Sequence, residues 1–452
     1  MRGLISTTIL LVAFATTAAA QECLTGEATL SDQRALAALR AATETACPCD
    51  SFAGAQGRRL YARCVRGEIK SAREAEALRS ECVRAARGLY RRASCGTDRV
   101  PCGRAAGPDA AASCRLASPA GNACGGDGAE SACGAQTHCA EVVQATAGTC
   151  IDPNQPGPFG VGVRTVQMTK DSVATPGTPR VLDTVVWYPA APGAAPINTR
   201  LGGVVDAPLD NSGGPYPLLM FSHGSCGYAF QSTFLTMSLA SHGIIVAAPP
   251  HPGNTIFEIQ TCGTGAALVA SLQERPNDII FATDQLAAAA ADSTSPFFGA
   301  IDPARVGMSG HSFGGLTTYL VVDRDPRYRI AVPMAGAAPA QTTMMTIPSL
   351  SILSELDSYV NNARIRAEYA AASAPKIQVE ILNAGHFAFS DGCFPSPDCT
   401  PPVTLTQDEA HAVVQRWVLP FVRVYLAGDE RYAPLLEPVP PGVLVEREGI
   451  GG

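Results

Sequence analysis

The sequence predicts an α/β fold, a mostly parallel sheet flanked by helices, behind a small disulfide-rich and partly helical N-terminal module. Three observations predict it. From residue 158 onward, short apolar runs alternate with helical stretches, the pattern of strands crossed over by helices. One of those runs leads through Gly310-His311-Ser312-Phe313-Gly314 into the apolar start of a helix, which is the layout of a sharp strand-to-helix turn. Of 16 cysteines, twelve fall before residue 151 and four after it.

Residues 1–20 carry Arg2, an apolar stretch and Ala18-Ala19-Ala20, the pattern of a secretory signal peptide cleaved after Ala20. The apolar run is short for a membrane span, and no later stretch is apolar for long enough to form a stable anchor. Export makes the cysteines of residues 21–150 a disulfide framework. Even counts in the two parts predict that each pairs its own. Cys133, His138 and Cys139 form a loose ligand-like cluster, but without C-x-x-C pairs no metal is expected. In this module Ser31 is placed to cap a helix bearing Leu36, Ala37 and Leu39, and a second helix is expected over about 72–92 with Leu78, Cys82, Ala85 and Leu89 on one stripe. Cys64 and Cys82 are candidates to clip the helices together. Residues 95–150 have little periodicity and read as a knot held by bridges. The module fits contact with a surface or partner, or a stabilising appendage; the second is preferred.

Residues 151–157 form a Pro-rich linker, and the composition shifts there. Residues 21–150 carry 16 Lys and Arg against 14 Asp and Glu, whereas residues 151–452 carry 16 against 26. Neither part has the basic surface of a nucleic-acid binder, and the acidic second part favours neutral substrates over polyanions. Within a second domain over 158–435, residues 161–168 and 181–188 read as leading strands of a hairpin. Residues 216–222 are apolar throughout, as in a strand buried on both faces. A helix over 231–241, a strand over 244–248 and a helix over 276–291 lead to the Ser312 strand. Strands over 330–333, 349–353 and 377–382 follow, then a helix over about 407–426 and a tail over 436–452.

A serine hydroxyl between glycines needs a base, and the base needs a carboxylate to hold its tautomer. Among seven histidines, His138 lies in the cysteine-rich module, His411 in the last helix and His242 at a helix end. His311 neighbours Ser312 on the turn, and His223 and His251 belong to earlier loops that they hold by hydrogen bonds. His386, lifted on a loop by Gly385 after the 377–382 strand, is left as general base. Asp357 follows the 349–353 strand and keeps the order Ser, acid, His; Glu355 in the same turn is its rival and Asp391 a more distant one. The N–H groups of Ser225, after Gly224, and of Phe313 are the candidate oxyanion donors. Phe387 and Phe389, with Phe230 less directly, are candidates to line an acyl pocket.

Phe221-Ser222-His223-Gly224, the run 239–248, His251-Pro252-Gly253-Asn254-Thr255, Arg275-Pro276-Asn277-Asp278, Gly310-His311-Ser312-Phe313-Gly314-Gly315 and the histidine loop 385–391 together resemble α/β-hydrolases of the predicted dienelactone hydrolase and platelet-activating-factor acetylhydrolase cluster, and the related bacterial polyester hydrolases. The resemblance covers about 158–435. It implies an α/β-hydrolase fold, with Ser312 as nucleophile, Asp357 as acid, His386 as base and the Ser225 and Phe313 N–H groups as oxyanion hole. True dienelactone hydrolases use a cysteine where Ser312 stands, and polyester hydrolases usually place an aromatic residue at the position of Ser225. The segment 393–399 reads as an insertion that a Cys393–Cys399 bridge would stiffen.

The expectation is therefore a secreted or periplasmic serine carboxylic-ester hydrolase for short- to medium-chain small-molecule or lipid esters, requiring no cofactor. Its alternatives are a polyester hydrolase and a catalytically idle binding protein on the same fold. Activity that falls as pH drops through about 6.5, the ordinary histidine value, is expected of the first.

Overall fold

The computed structural model describes residues 152–450 apart from 192–197, 199, 340–344, 394–395, 438 and 441, and before them 22–23, 28–52, 56–91, 93–97 and five short strands. The leader of residues 1–20 and the Cys133–His138–Cys139 cluster lie outside the described residues. No helix among those described is long and apolar enough to cross a membrane.

Helices α1 (Thr29–Ala46), α2 (Gly57–Glu74) and α3 (Val83–Arg91) pack around Leu39, Tyr61, Val65, Ile69, Leu78, Ala86 and Tyr90. Bridges Cys23–Cys82, Cys47–Cys64 and Cys49–Cys95 tie them, so Cys64 and Cys82 each join a different partner. The single helix expected over 72–92 is broken. Glu76 takes a positive φ of 57°, and the chain turns so that Leu78 reaches the core. The stripe Tyr61, Val65 and Ile69 was hidden among arginines, whose charged heads sit on the other face of α2. Ser31 does not cap: α1 begins at Thr29 and the Ser31 hydroxyl donates back to the Ala28 carbonyl at 2.9 Å. Strands β1 (Val100–Arg104), β2 (Ser113–Ala117) and β3 (Glu130–Ala132) make a small antiparallel sheet, and β4 (Ala145–Thr146) pairs with β5 (Thr149–Cys150).

The second domain is built on one sheet of ten strands: β6 (Gly160–Asp171), β7 (Pro179–Ala190), β8 (Val204–Val205), β9 (Tyr216–Ser222), β10 (Ile245–Ala248), β11 (Ile301–His311), β12 (Tyr328–Met334), β13 (Ser349–Ser354), β14 (Lys376–Ile381) and β15 (Val443–Glu448). Their spatial order is β15-β14-β13-β12-β11-β9-β10-β7-β6-β8. The stretch from β10 through β14 is parallel, and β6 and β7 form the expected antiparallel hairpin. Leu219 and Phe221 of β9 face one core, shared with α4 (Thr233–Ser241) and α8 (Gln407–Tyr425). Leu218 and Met220 face the other, shared with α5 (Gly265–Ala291) and α6 (Phe313–Arg324). The alternation of β9 between two apolar faces explains why its whole sequence is apolar. Helix α7 (Asn362–Ala371) links β13 to β14.

Two boundaries differ from expectation. Helix α5 starts at Gly265, capped by the Thr264 hydroxyl, and runs through Pro276. A proline looks like a first helical residue, yet here buried Glu274 is fixed by Lys170 and by the Ala174 N–H at 3.0 and 2.8 Å. That tertiary anchoring outweighs the one backbone rung that Pro276 forfeits. The segment 436–452 is not a tail: β15 pairs antiparallel with β14 and buries Val443, Leu444 and Val445. It closes an edge that would otherwise expose unpaired backbone groups.

Candidate active site

The carboxyl ends of β9, β11, β13 and β14 deliver the residues of interest, as parallel sheets favour. Ser312 follows β11 with φ 59° and ψ −118°, a conformation that a non-glycine residue holds only under constraint. The flanking glycines are obligatory. A Cβ at Gly314 would lie 1.8 Å from the Ser222 carbonyl oxygen, and one at Gly310 2.4 Å from the Gly314 oxygen.

Ser312 Oγ lies 2.9 Å from His386 Nε2, and His386 Nδ1 lies 2.8 Å from Asp357 Oδ2. With Nδ1–H donated to the carboxylate, Nε2 is free to accept the serine proton. Asp357 is held in turn by the N–H groups of Tyr359 and Val360, at 2.8 and 2.9 Å. Neither rival carboxylate reaches the imidazole. Glu355 accepts the Asn383 N–H at 3.0 Å. Asp391 caps α4 through the Thr233 and Phe234 N–H groups at 2.7 and 3.0 Å.

The Ser225 N–H donates to no described residue, and that of Phe313, in the first turn of α6, has no intrahelical acceptor. The loop carrying Ser225 abuts Ser312, since a Cβ on Gly224 would sit 3.4 Å from that of Ser312. Cys226, the next residue, takes φ 54° and is bridged to Cys262. His311 holds His386 in place. Its Nδ1 accepts from Gln231 at 3.0 Å, so its Nε2–H donates to the His386 carbonyl at 2.9 Å. Burial and the neighbouring His386 keep the His311 pKa well below its ordinary value.

The aromatic expectations divide. Phe387 is half-buried, edge-on to the His386 ring with centroids 5.5 Å apart. Phe389 is a correction: it is fully buried in the sheet core, 5.4 Å from the His311 ring. The single turn His386–Phe389 sends its last side chain inward under α8 rather than toward Ser312. Phe230 meets the Tyr228 ring at a tilt of 48°, with centroids 4.7 Å apart, and lies under the Arg200 guanidinium.

Two residues escaped sequence reasoning. Tyr359 is 59% exposed and stands 4.9 Å from the His386 ring, an aromatic surface on the rim of the site. Asp398 lies inside the Cys393–Cys399 loop, and its carboxylate ties the His386 loop to the turn that follows Asp357. It accepts the His386 N–H at 2.7 Å and the Ser358 N–H at 3.1 Å, with the Ser358 hydroxyl on its other oxygen. The only signal was the short Cys–Cys spacing beside the histidine loop. Burial opposes the charge on Asp398, but the hydrogen bonds from Ser358 and the His386 N–H leave its pKa below the ordinary carboxylate value. A depressed carboxylate contributes stability that is full above its unfolded value, about 3.9, and is lost as pH falls through the folded one. The melting-temperature deficit of Asp398→Asn is therefore expected to be greatest at neutral pH and to shrink below about pH 4. A deficit that stays constant from pH 7 to 3 would remove the charge as its source.

A second relay runs beneath the first. Ser222 Oγ lies 2.9 Å from His251 Nε2, and His251 Nδ1 lies 2.9 Å from Asp278 Oδ2. All three residues are sealed from solvent, and the Ser222 oxygen also accepts from Arg275 at 3.2 Å. With no path for a substrate, it serves as a buried brace.

A family model described as PET hydrolase-like matches residues 201–443, leaving the N-terminal module outside it. The chain is 23% identical to bis(hydroxyethyl) terephthalate hydrolase of Streptomyces coelicolor over 250 residues, 54% of this chain and 69% of the relative. It is 26% identical to cutinase est1 of Thermobifida alba over 191 residues, 41% of this chain and 58% of that protein. Cutinase 1 of Thermobifida cellulosilytica is 23% identical over 255 residues, 56% and 81% of the two chains. Among solved structures, a ferulic acid esterase from Streptomyces cinnamoneus superposes with a TM-score of 0.52 at 23% identity, covering 64% of this chain and 97% of the other. That likeness shows the α/β-hydrolase fold.

Proposed function

The chain belongs to the PET hydrolase-like family, and we propose that it is an exported serine carboxylic-ester hydrolase acting through an acyl-enzyme. Ser312 attacks the ester carbonyl while His386 Nε2 takes its proton. The carbonyl oxygen becomes an oxyanion that accepts the N–H groups of Ser225 and Phe313. Collapse of this intermediate breaks the C–O bond, and the imidazolium returns the proton to the leaving alkoxide. Water then repeats the two steps on the acyl-enzyme, releasing the acid and restoring Ser312. Asp357 holds the imidazole and balances its charge. No step calls for a metal or organic cofactor.

The observation that carries this reading is the continuous hydrogen-bonded chain from Ser312 through His386 to Asp357, at 2.9 and 2.8 Å. Small esters of short to medium acyl length are the primary substrates. Polyester cleavage is the second reading, favoured by the terephthalate-ester and cutin names of the relatives and by the exposed ring of Tyr359 beside the base. Disulfides in both domains support export. The test is hydrolysis of p-nitrophenyl acetate to decanoate and of bis(hydroxyethyl) terephthalate, with an organophosphonate probe for covalent labelling. Turnover together with a single label on Ser312 is expected. A folded protein that turns over nothing and takes up no label would be a binding protein instead. Release of soluble monomers from polyester film separates the second reading from the first.

A further inference from the structure

The run Arg275-Pro276-Asn277-Asp278 stands out in the sequence but has no place in the relay just described. Arg275 is completely buried in α5, and a buried guanidinium is costly unless its donors are satisfied. Its Nη1 donates to the His223 carbonyl at 2.6 Å and to Ser222 Oγ at 3.2 Å. Its Nη2 donates to the Gly224 carbonyl at 3.0 Å and to Asn254 Oδ1 at 2.5 Å, and its Nε to the same Asn254 oxygen at 3.2 Å. The cation also lies over the Phe313 ring, 4.5 Å from its centroid. One side chain thus touches both segments that carry the candidate oxyanion donors.

The Gly224 oxygen and the Ser225 N–H belong to one trans peptide unit, so they point in opposite directions. Three donors converge on that oxygen: His223 Nδ1–H at 2.7 Å, Arg275 at 3.0 Å and the Gly227 N–H at 3.2 Å. Drawing the oxygen into the interior turns the Ser225 N–H outward, and donors on a carbonyl polarise the N–H at its other end. The nearest carboxylate does not cancel this charge by contact. Asp278 is engaged by Arg180 at 2.7 Å and by His251 at 2.9 Å, while Arg275 faces neutral oxygens. Burial draws the Arg275 pKa down to about 9 with Asp278 opposing, still above neutrality, so the cation is the form present at pH 7.

We propose that Arg275 is a positioning residue for ester hydrolysis, its guanidinium fixing the Gly224–Ser225 peptide so that the Ser225 N–H faces the oxyanion. The inference rests on the acyl-transfer reading above. It is tested with Arg275→Met and Arg275→Lys on p-nitrophenyl acetate, alongside inhibition by an aryl trifluoromethyl ketone, which forms a tetrahedral adduct on serine, and by the product alcohol. Arg275→Met is expected to lower kcat about 10²-fold, the scale of losing one oxyanion donor, with KM within about threefold. Affinity for the ketone is expected to fall in parallel and that for the alcohol to stay unchanged. Lysine keeps a point charge but not the fork, and is expected to restore about tenfold of the loss. Should the methionine variant fail to fold, the lysine variant carries the same comparison, with kcat about tenfold below wild type. Unchanged kcat in a folded variant, or a fall in kcat without a matching loss of ketone affinity, overturns the role of Arg275 and leaves the hydrolase reading standing. Absence of wild-type hydrolysis and labelling overturns both.

Discussion

Ser312→Ala is expected to lower kcat on p-nitrophenyl acetate by about 10⁶-fold with little change in KM, the scale found when a triad serine is removed. The reasoning is structural as well as chemical. Alanine can occupy the same strained turn that Ser312 adopts at φ 59°, and the turn is set by contacts of Gly310 and Gly314 rather than by the hydroxyl. The sheet, the His386–Asp357 pair and the oxyanion loop therefore persist, and only the attacking atom is lost. Residual turnover would come from the oxyanion donors and binding alone, without a burst of p-nitrophenol. Steady-state and stopped-flow assays on the variant settle the matter: retention of more than about 1% of kcat would mean that another nucleophile operates.

Asp357→Asn is expected to cost about 10⁴-fold in kcat, as for an asparagine in the acid position of a triad. An amide presented to His386 Nδ1 can donate as well as accept. It therefore stabilises the tautomer with the proton on Nε2, which cannot accept from Ser312 across the present 2.9 Å contact. Glu355→Gln is the paired control. Its carboxylate binds the Asn383 N–H, a contact that the glutamine carbonyl can keep, so kcat should stay within about threefold. Kinetics of the two variants side by side assign the acid, and the reverse ranking of losses would transfer the role to Glu355.

The Ser312 turn and the His386 loop were legible because glycine requirements leave marks in sequence. Gly310 and Gly314 are demanded by backbone contacts shorter than any Cβ permits, and Gly385 by the Asp398 carbonyl 2.4 Å from where a Cβ would be. The carboxylate that meets His386 was legible only to within one turn, because Glu355 and Asp357 differ in which way a short loop faces, and no periodicity reports that. The same blindness misplaced Phe389, whose turn faces the core. Long-range polar anchoring was also silent in the sequence. The pairing of Glu274 with Lys170 and the grip of Asp398 on His386 join residues 104 and 12 positions apart, and the first overrode a local expectation. Strand β15 carries only three buried apolar residues, Val443, Leu444 and Val445, too short a run to announce a strand beyond a proline-rich segment.

The position of the Cys226–Cys262 bridge links redox history to turnover. Its first cysteine immediately follows the residue whose amide is proposed to meet the oxyanion, whereas the sheet core is assembled from apolar side chains that need no oxidation. Protein in which this one bridge is open would therefore keep the circular dichroism of the sheet domain while differing in specific activity. For preparations of this protein, the redox state of Cys226 and Cys262 reports catalytic quality more directly than a measure of secondary structure.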